Sequence, residues 1–158
     1  MKNQLENSRH SFSHILAMAV LDFWPEAKLG IGPIIENGFY YDFEFNADQR
    51  ESKRGLTRIS ADELPKIEKK MREIIKKDLK FEKKEVSIKQ AKEIFSAQPF
   101  KLELIEELKN NQQPITIYES GGFTDLCAGP HVSTTKELNP ESFKLIKVAM
   151  HFSRFGVS

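Results

Sequence analysis

The segment from residue 29 to residue 45 limits the folds open to this chain more than any other stretch. Asn37-Gly38 lies there between two runs rich in β-branched and aromatic residues, Leu29–Ile35 and Phe39–Phe45. Asn-Gly favours the left-handed backbone of a two-residue turn, so the two runs are predicted to pair as an antiparallel hairpin. Gly30 and Gly32 in the first run indicate a bulge or a close approach by another group.

Helical patterns and short strands surround this hairpin. A helix is predicted over Ser8–Phe23, with a cap at Asn7 or Ser8 and a stop at Pro25. Ser60–Glu63 has the form of a capping box for a second helix that reaches Lys77. The remaining predictions are helices at Ile88–Phe95 and Phe100–Leu108, strands at Leu79–Ser87, Ile115–Tyr118, Phe123–Leu126 and Ser142–Phe152, a turn at Gly121-Gly122, and a surface loop at 46–59. Because no regular β-α-β order appears, the fold is predicted to be α+β, an antiparallel sheet packed against a long central helix.

Composition sets the class of protein. With 158 residues, of which 39% are hydrophobic, the chain is expected to form a single domain with its own core. Its 24 basic and 23 acidic residues exclude nucleic-acid binding by bulk charge, although a local basic face stays open. No apolar run is long enough to cross a membrane, and the polar first residues do not resemble a secretory signal. We therefore expect a cytoplasmic protein.

Rare side chains are concentrated in two short motifs. His10 and His14 lie four residues apart on the first predicted helix, and Cys127 and His131 flank Gly129-Pro130. Imidazoles and a thiolate are the ligands of tetrahedral zinc, so the two motifs together predict one site. Each half alone has a plainer interpretation, because the histidine pair suits a solvated or hydrogen-bonded helix face and Cys127, the only cysteine, suits a small buried residue. Asp125 is either a partner that orients an imidazole or a surface charge.

Four sequence blocks together resemble a known family. They are Arg9-His10-Ser11-Phe12-Ser13-His14, Trp24-Pro25, the run from Gly30 to Asp42, and Thr124-Asp125-Leu126-Cys127-Ala128-Gly129-Pro130-His131. In order and spacing they look like the editing domain of bacterial-type threonyl-tRNA synthetase, over a core of about residues 8–147. The final residues around His151 depart from the family pattern. The resemblance implies the editing-domain fold shared by threonyl- and alanyl-tRNA synthetases, with no aminoacylation domain in this chain.

The resemblance also implies an activity, the hydrolysis of serine wrongly esterified to threonine tRNA. The implied catalytic residues are His10, His14, Lys101, Cys127 and His131. The residues assigned to substrate binding are Asp125, Gly32 and Tyr41. Zinc is a candidate cofactor on His10, His14, Cys127 and His131, although the family implies a site that often works without metal. Lys101 rests on the resemblance alone, since most lysines at a helix start are solvated.

The implied partners are the serine-bearing 3′ end of threonine tRNA and an aminoacylation domain of the same or a separate synthetase, with no membrane partner. Lysines at 66–84 alternate with glutamates, which is typical of a solvated face, while a tRNA contact is the alternative. Aromatic residues at 39–43 either stack on the terminal adenine or face the core. Two other functions stay open: a non-catalytic zinc module that docks tRNA, and a zinc hydrolase of another ester.

Overall fold

The computed structural model describes residues 2–45 and 61–146. Its helices are α1 (Lys2–Phe23), α2 (Leu64–Ile75), α3 (Ile88–Ile94) and α4 (Pro99–Asn110). Its strands are β1 (Lys28–Leu29), β2 (Ile34–Ile35), β3 (Gly38–Phe39), β4 (Phe43–Glu44), β5 (Glu82–Val86), β6 (Ile115–Ser120) and β7 (Phe123–Leu126). Short 3-10 turns cover Ala61–Glu63 and Thr135–Glu137. The mixed α+β class is confirmed.

The strands of the described residues form three small antiparallel sheets, where the sequence predicted one. β5, β6 and β7 form a three-stranded meander, and β1–β4 and β2–β3 are separate two-stranded ladders. An antiparallel hairpin is confirmed, but its two-residue turn is Glu36-Asn37, because Gly38 pairs with Ile35 at the start of β3. Asn37 and Gly38 are not among the residues with positive φ, so the left-handed turn predicted for Asn-Gly is wrong.

The ladder of this hairpin is also broken in the middle. A bulge provides the reason: Gly30 donates to the Asp42 carbonyl and Asp42 donates to the Ile31 carbonyl, each at 2.8 Å. Gly30 and Ile31 on one strand thus face the single residue Asp42 on the other, and the pairing register shifts by one residue.

α1 begins five or six residues earlier than its predicted cap. Ser8 lies inside the helix, where its hydroxyl donates to the Gln4 carbonyl at 2.9 Å instead of accepting a backbone N–H at the start. The helix ends at Phe23, two residues before Pro25, as predicted. It packs chiefly against α2 and also against the β2–β3 hairpin. The largest core cluster joins them, with Phe12, Ile15, Ala19, Val20, Ile67, Met71, Ile74 and Ile75 among its buried members.

Other boundaries differ in smaller ways. α2 begins at Leu64 behind Glu63, whose side chain makes no capping bond, and it ends at Ile75. Ser60 and the predicted loop at 46–59 lie outside the described residues. Residues 142–146 form no strand, so that part of the last predicted strand is wrong, and residues 147–152 are not described. No helix among the described residues has the length and apolarity needed to cross a membrane.

Three lysines of the lysine-rich stretch, Lys66, Lys70 and Lys84, pair with acidic residues. Lys70 lies 3.1 Å from Asp22 and 3.4 Å from Glu73, and Lys84 lies 2.7 Å from Glu119. These contacts agree with the interpretation as a solvated face, because they neutralise charges that a phosphate backbone would need.

Gly32 is a position at which another group approaches the backbone closely, as the sequence predicted. A Cβ at this position would overlap the Tyr41 ring and lie 3.0 Å from the Ser13 hydroxyl. Tyr41 is itself buried. Only a residue without a side chain therefore fits beneath this ring.

We expect Gly32→Ala to lower the free energy of unfolding by about 1–3 kcal/mol, because the added methyl must displace a buried ring. Gly38→Ala is the matched control, since a Cβ there meets only the Ile35 side chain at ordinary contact distance, 3.8 Å. Its effect is expected to stay within about 0.5 kcal/mol. Urea unfolding of both variants provides the measurement, and equal losses would contradict the close-packing argument.

Candidate functional site

α1 places two imidazoles on one face. His10 and His14 are one helical turn apart, with ring centroids 5.4 Å apart and planes nearly perpendicular. His14 is 2% exposed, whereas His10 is partly exposed. The pair thus has an inner member and an outer member, and the solvated-face interpretation is wrong for His14.

The strand period places the second group of residues. Phe123 and Asp125 are buried on one face of β7, and the same alternation brings Cys127 to that side just beyond the strand. The Cys127 N–H donates to the Thr116 carbonyl at 3.0 Å, which continues the ladder with β6. Phe123 packs edge-on against His14, with 5.7 Å between ring centroids.

The loop after β7 then turns back over α1. Gly129 has φ +80°, a left-handed conformation that glycine adopts at little cost, and its N–H donates to Cys127 Sγ at 3.3 Å. His131 stacks on His10 with centroids 4.1 Å apart and lies equally close to His14. The two motifs, separated by more than a hundred residues, therefore meet in one site as predicted.

The four side chains have the geometry of a potential metal site. Cys127 Sγ lies 3.2 Å from His10 Nε2 and 3.4 Å from His131 Nε2. One donor atom from each of His10, His14, Cys127 and His131 lies within 4.8 Å of all the others. Tetrahedral zinc holds its ligand atoms about 3.3–3.8 Å apart. The donor set fits zinc after a small contraction of the widest pair.

A buried carboxylate lies behind this cluster. Asp125 is 2% exposed and receives the Tyr41 hydroxyl on Oδ2 at 2.7 Å. Lys101 Nζ lies 2.7 Å from its Oδ1, and His14 Nε2 lies 3.3 Å from its Oδ2. Asp125 is thus a partner of an imidazole and not a surface charge.

Lys101 reaches Asp125 from the first turn of α4. The helix begins at Pro99 and docks beside β1, where Gln98 Oε1 accepts the Leu29 N–H at 2.7 Å. A lysine here opposes the helix dipole and is only 2% exposed, so its charge needs the carboxylate. The sequence carries only a weak signal for this, a basic residue just after the Pro99 start.

Burial keeps the imidazoles neutral. It lowers the pKa of His10, and it lowers the pKa of His14 well below 6.5 with help from nearby His10 and Lys101. Burial and the two neighbouring imidazoles lower the pKa of His131 to about 2. Burial raises the pKa of the Cys127 thiol to about 12. At neutral pH, and without a metal ion, the cluster therefore carries three uncharged imidazoles and a protonated thiol.

A hydrogen-bond partner assigns the tautomer of one of these rings. His10 Nδ1 lies 3.1 Å from the Pro130 carbonyl, which can only accept, so His10 is protonated at Nδ1 and its Nε2 is bare. At His14 the Asp125 carboxylate, 3.3 Å from Nε2, favours a proton on that nitrogen by its charge. Bare ring nitrogens are what a metal ion or a water O–H requires.

The other two residues assigned to substrate binding, Tyr41 and Gly32, lie in a row of contacts that ends at Asp125. Tyr41 reaches Asp125 through its hydroxyl, and burial followed by the adjacent carboxylate raises the pKa of Tyr41 well above 10. Gly32 lies so close to the Tyr41 ring that a Cβ on it would overlap the ring. Among the aromatic residues at 39–43, Tyr40 is exposed, while Phe39 and Phe43 pack against the core. Tyr40 is therefore the one available for stacking.

Sequence reasoning missed three neighbours of His131. Phe81 stacks on its ring at 5.1 Å, Tyr118 meets it edge-on at 4.5 Å, and the Ser11 hydroxyl lies 3.1 Å from its Nδ1. Phe81 and Tyr118 come from chain segments with no distinctive motif. Ser11 follows His10 directly, and a polar residue on the apolar side of a helix was a signal available in the sequence.

Known proteins agree with this architecture. Residues 115–150 match the family described as threonyl and alanyl tRNA synthetase second additional domain. The chain is 44% identical over 145 residues to a threonine–tRNA ligase of Borreliella burgdorferi strain ZS7, with 92% of this chain and 23% of the relative covered. It is 48% identical over 143 residues to that of Thermotoga maritima, with 89% of this chain and 20% of the relative covered.

The family match at residues 115–150 and the relatives' identity over about nine tenths of this chain support an editing domain of the threonyl-tRNA synthetase type. Within that family its similarity is to the threonyl branch, so the resemblance drawn from the four sequence blocks is confirmed. The chain spans about a fifth of the length of these relatives.

The buried ion pair generates a stability prediction. Lys101→Met is expected to lower the free energy of unfolding by about 3–5 kcal/mol, because it leaves Asp125 buried without its cation. Lys84→Met removes an exposed ion pair with Glu119 and is expected to change the free energy of unfolding far less, because water screens exposed charges. Urea titrations of both variants measure the difference, and similar losses would show that Asp125 does not depend on Lys101.

Proposed function

We propose that this chain is an aminoacyl-tRNA deacylase that removes serine from threonine tRNA and spares threonine. The observation that carries the proposal is the meeting of three neutral imidazoles and a thiol beside a buried lysine–aspartate pair. The family and its threonyl relatives support a role in proofreading. The serine-bearing substrate, the hydrolytic reaction and the tRNA partner are parts of this proposal. Action together with an aminoacylation domain is also part of it.

Ester hydrolysis needs a positioned water, a charge that stabilises the oxyanion and a proton for the leaving ribose oxygen. We assign the water to the bare Nε2 of His10 or of His131, since both rings are partly exposed. His14 is too deeply buried to face bulk water and instead links the cluster to Asp125. Lys101, Cys127 and the second partly exposed imidazole complete the proposed catalytic group.

Substrate recognition is assigned to the carboxylate. A seryl ester carries an α-ammonium group, and Asp125 is an acidic residue in direct contact with the imidazole cluster. Lys101 and Tyr41 hold its oxygens in place, and Gly32 makes room for the Tyr41 ring. Serine and threonine share the hydroxyl, so the pocket must exclude the extra methyl sterically.

Zinc is the proposed optional cofactor. His10, His14, Cys127 and His131 would hold it, and it would supply a Lewis acid at the centre of the cluster. Four protein ligands close a tetrahedral site, so the metal-free arrangement leaves more room for a reacting water.

Deacylation assays test the proposed function. The chain is expected to release serine from seryl-tRNA for threonine at least about 10-fold faster than threonine from threonyl-tRNA, since one methyl is worth about 10–200-fold. His10→Ala is expected to slow serine release by about 10²–10⁴-fold. Glu103→Ala, at an exposed position on α4, is the control and should keep the rate.

The same assay separates the two other functions. Tight tRNA binding without release of either amino acid would replace this proposal with the docking module. Hydrolysis of simple esters with no preference for aminoacyl-tRNA would indicate a general hydrolase.

Metal analysis tests the cofactor. Protein purified without added zinc and dialysed against a chelator is expected to retain much less than one equivalent of zinc and to keep its deacylation rate. Added Zn²⁺ should bind at one equivalent and release a proton from the thiol. Cys127→Ser should weaken this zinc binding. One equivalent that survives the chelator would overturn metal-free operation.

A further inference from the structure

Ser11 connects α1 to the loop that carries His131. Its side chain is fully buried, one residue after His10. The hydroxyl lies 2.7 Å from the Asn7 carbonyl, 3.0 Å from the Val132 N–H and 3.1 Å from His131 Nδ1. No residue role implied by the family resemblance accounts for these three contacts.

The three contacts favour one arrangement of protons, because two oxygens only 2.7 Å apart repel each other without a proton between them. A hydroxyl has one proton to donate and two lone pairs. The Asn7 carbonyl can only accept, so it receives the Ser11 proton, and the Val132 N–H can only donate, so it takes one lone pair. The remaining lone pair faces His131, which must donate from Nδ1.

A neutral ring protonated at Nδ1 is bare at Nε2. Nε2 of His131 is the atom that faces Cys127 Sγ at 3.4 Å, on the side of the donor cluster. Phe81 and Tyr118 hold the plane of the ring, but apolar contacts of this kind do not distinguish a nitrogen from a carbon when the ring flips. The Ser11 hydroxyl does distinguish them.

We propose that Ser11 is a positioning residue that holds His131 in its Nδ1–H tautomer and presents the bare Nε2 to the cluster. The effect on rate rests on the proposed deacylation. The tautomer itself is a property of the free chain and does not depend on any substrate.

Histidine side-chain NMR tests the tautomer directly. Long-range ¹H–¹⁵N spectra of the chelator-treated chain distinguish the two neutral tautomers, and His131→Gln identifies the His131 signals by their loss. The wild-type chain is expected to show His131 protonated at Nδ1. Ser11→Ala is expected to move His131 towards the Nε2–H form and to lower kcat for seryl-tRNA by about 10–100-fold, with KM unchanged.

Ser13→Ala provides the matched control. Ser13 is on the same helix and is equally buried, but its hydroxyl contacts only the backbone carbonyls of His10 and Gly32, at 2.7 Å and 3.0 Å. It should leave both the His131 tautomer and kcat close to wild type. Ser11→Thr keeps a hydroxyl at the position and should retain the Nδ1–H form.

Three results would overturn the proposal: a wild-type His131 protonated at Nε2, a Ser11→Ala chain with unchanged tautomer, or an equal change in Ser13→Ala. If Ser11→Ala fails to fold, the wild-type spectrum decides. Absence of deacylation in the wild-type chain would refute the proposed function, whereas the spectra would still show whether Ser11 sets the His131 tautomer.

Discussion

The buried carboxylate of Asp125 is the interaction on which the site depends. It joins Tyr41 beside β4, Lys101 from α4 and His14 from α1 to its own strand, β7. Burying a charge is costly unless an opposite charge lies beside it, and the groups that surround Asp125 come from different elements. The relative placement of these elements and the position of the imidazole cluster are therefore fixed by the same contacts.

Burial has a second consequence for the cluster itself. Loss of solvent lowers the affinity of all three imidazoles for protons, and neighbouring imidazoles lower it further for His14 and His131. The cluster is neutral for this reason, although a lysine and an aspartate lie directly beside it. Neutral rings leave bare nitrogens, so the chemistry of the site depends on where each ring keeps its single proton.

The sequence predicts local features of this protein better than their assembly. The end of α1 near Pro25 and the convergence of His10 with Cys127 follow from backbone restriction and donor type. The hairpin follows from its two β-rich runs, although its turn is Glu36-Asn37 and not the predicted Asn37-Gly38. The start of α1 does not, because Ser8 has two competing hydrogen-bonding modes and the structure uses the one inside the helix.

The identity of a single residue gives little information about which distant residues it contacts in the fold. Lys101 appears in the sequence as an ordinary lysine at a helix start, and only its contact with Asp125 makes it distinctive. Gly30 signalled the bulge opposite Asp42, but nothing in the sequence signalled that this bulge would divide the hairpin ladder into separate sheets. The family resemblance supplied Lys101 because it compares whole arrangements of residues.

The tautomers explain how one donor set suits both a metal ion and a water molecule. The Cys127 thiol has one proton, yet it faces the bare Nε2 of His10 and, if Ser11 acts as proposed, that of His131. One ring nitrogen is then left without a donor, and a water O–H or a zinc ion satisfies it equally well. Zinc requires the thiolate, however, and burial raises the pKa of that thiol to about 12. Zinc would have to expel this proton, so we expect zinc binding to weaken as the pH falls.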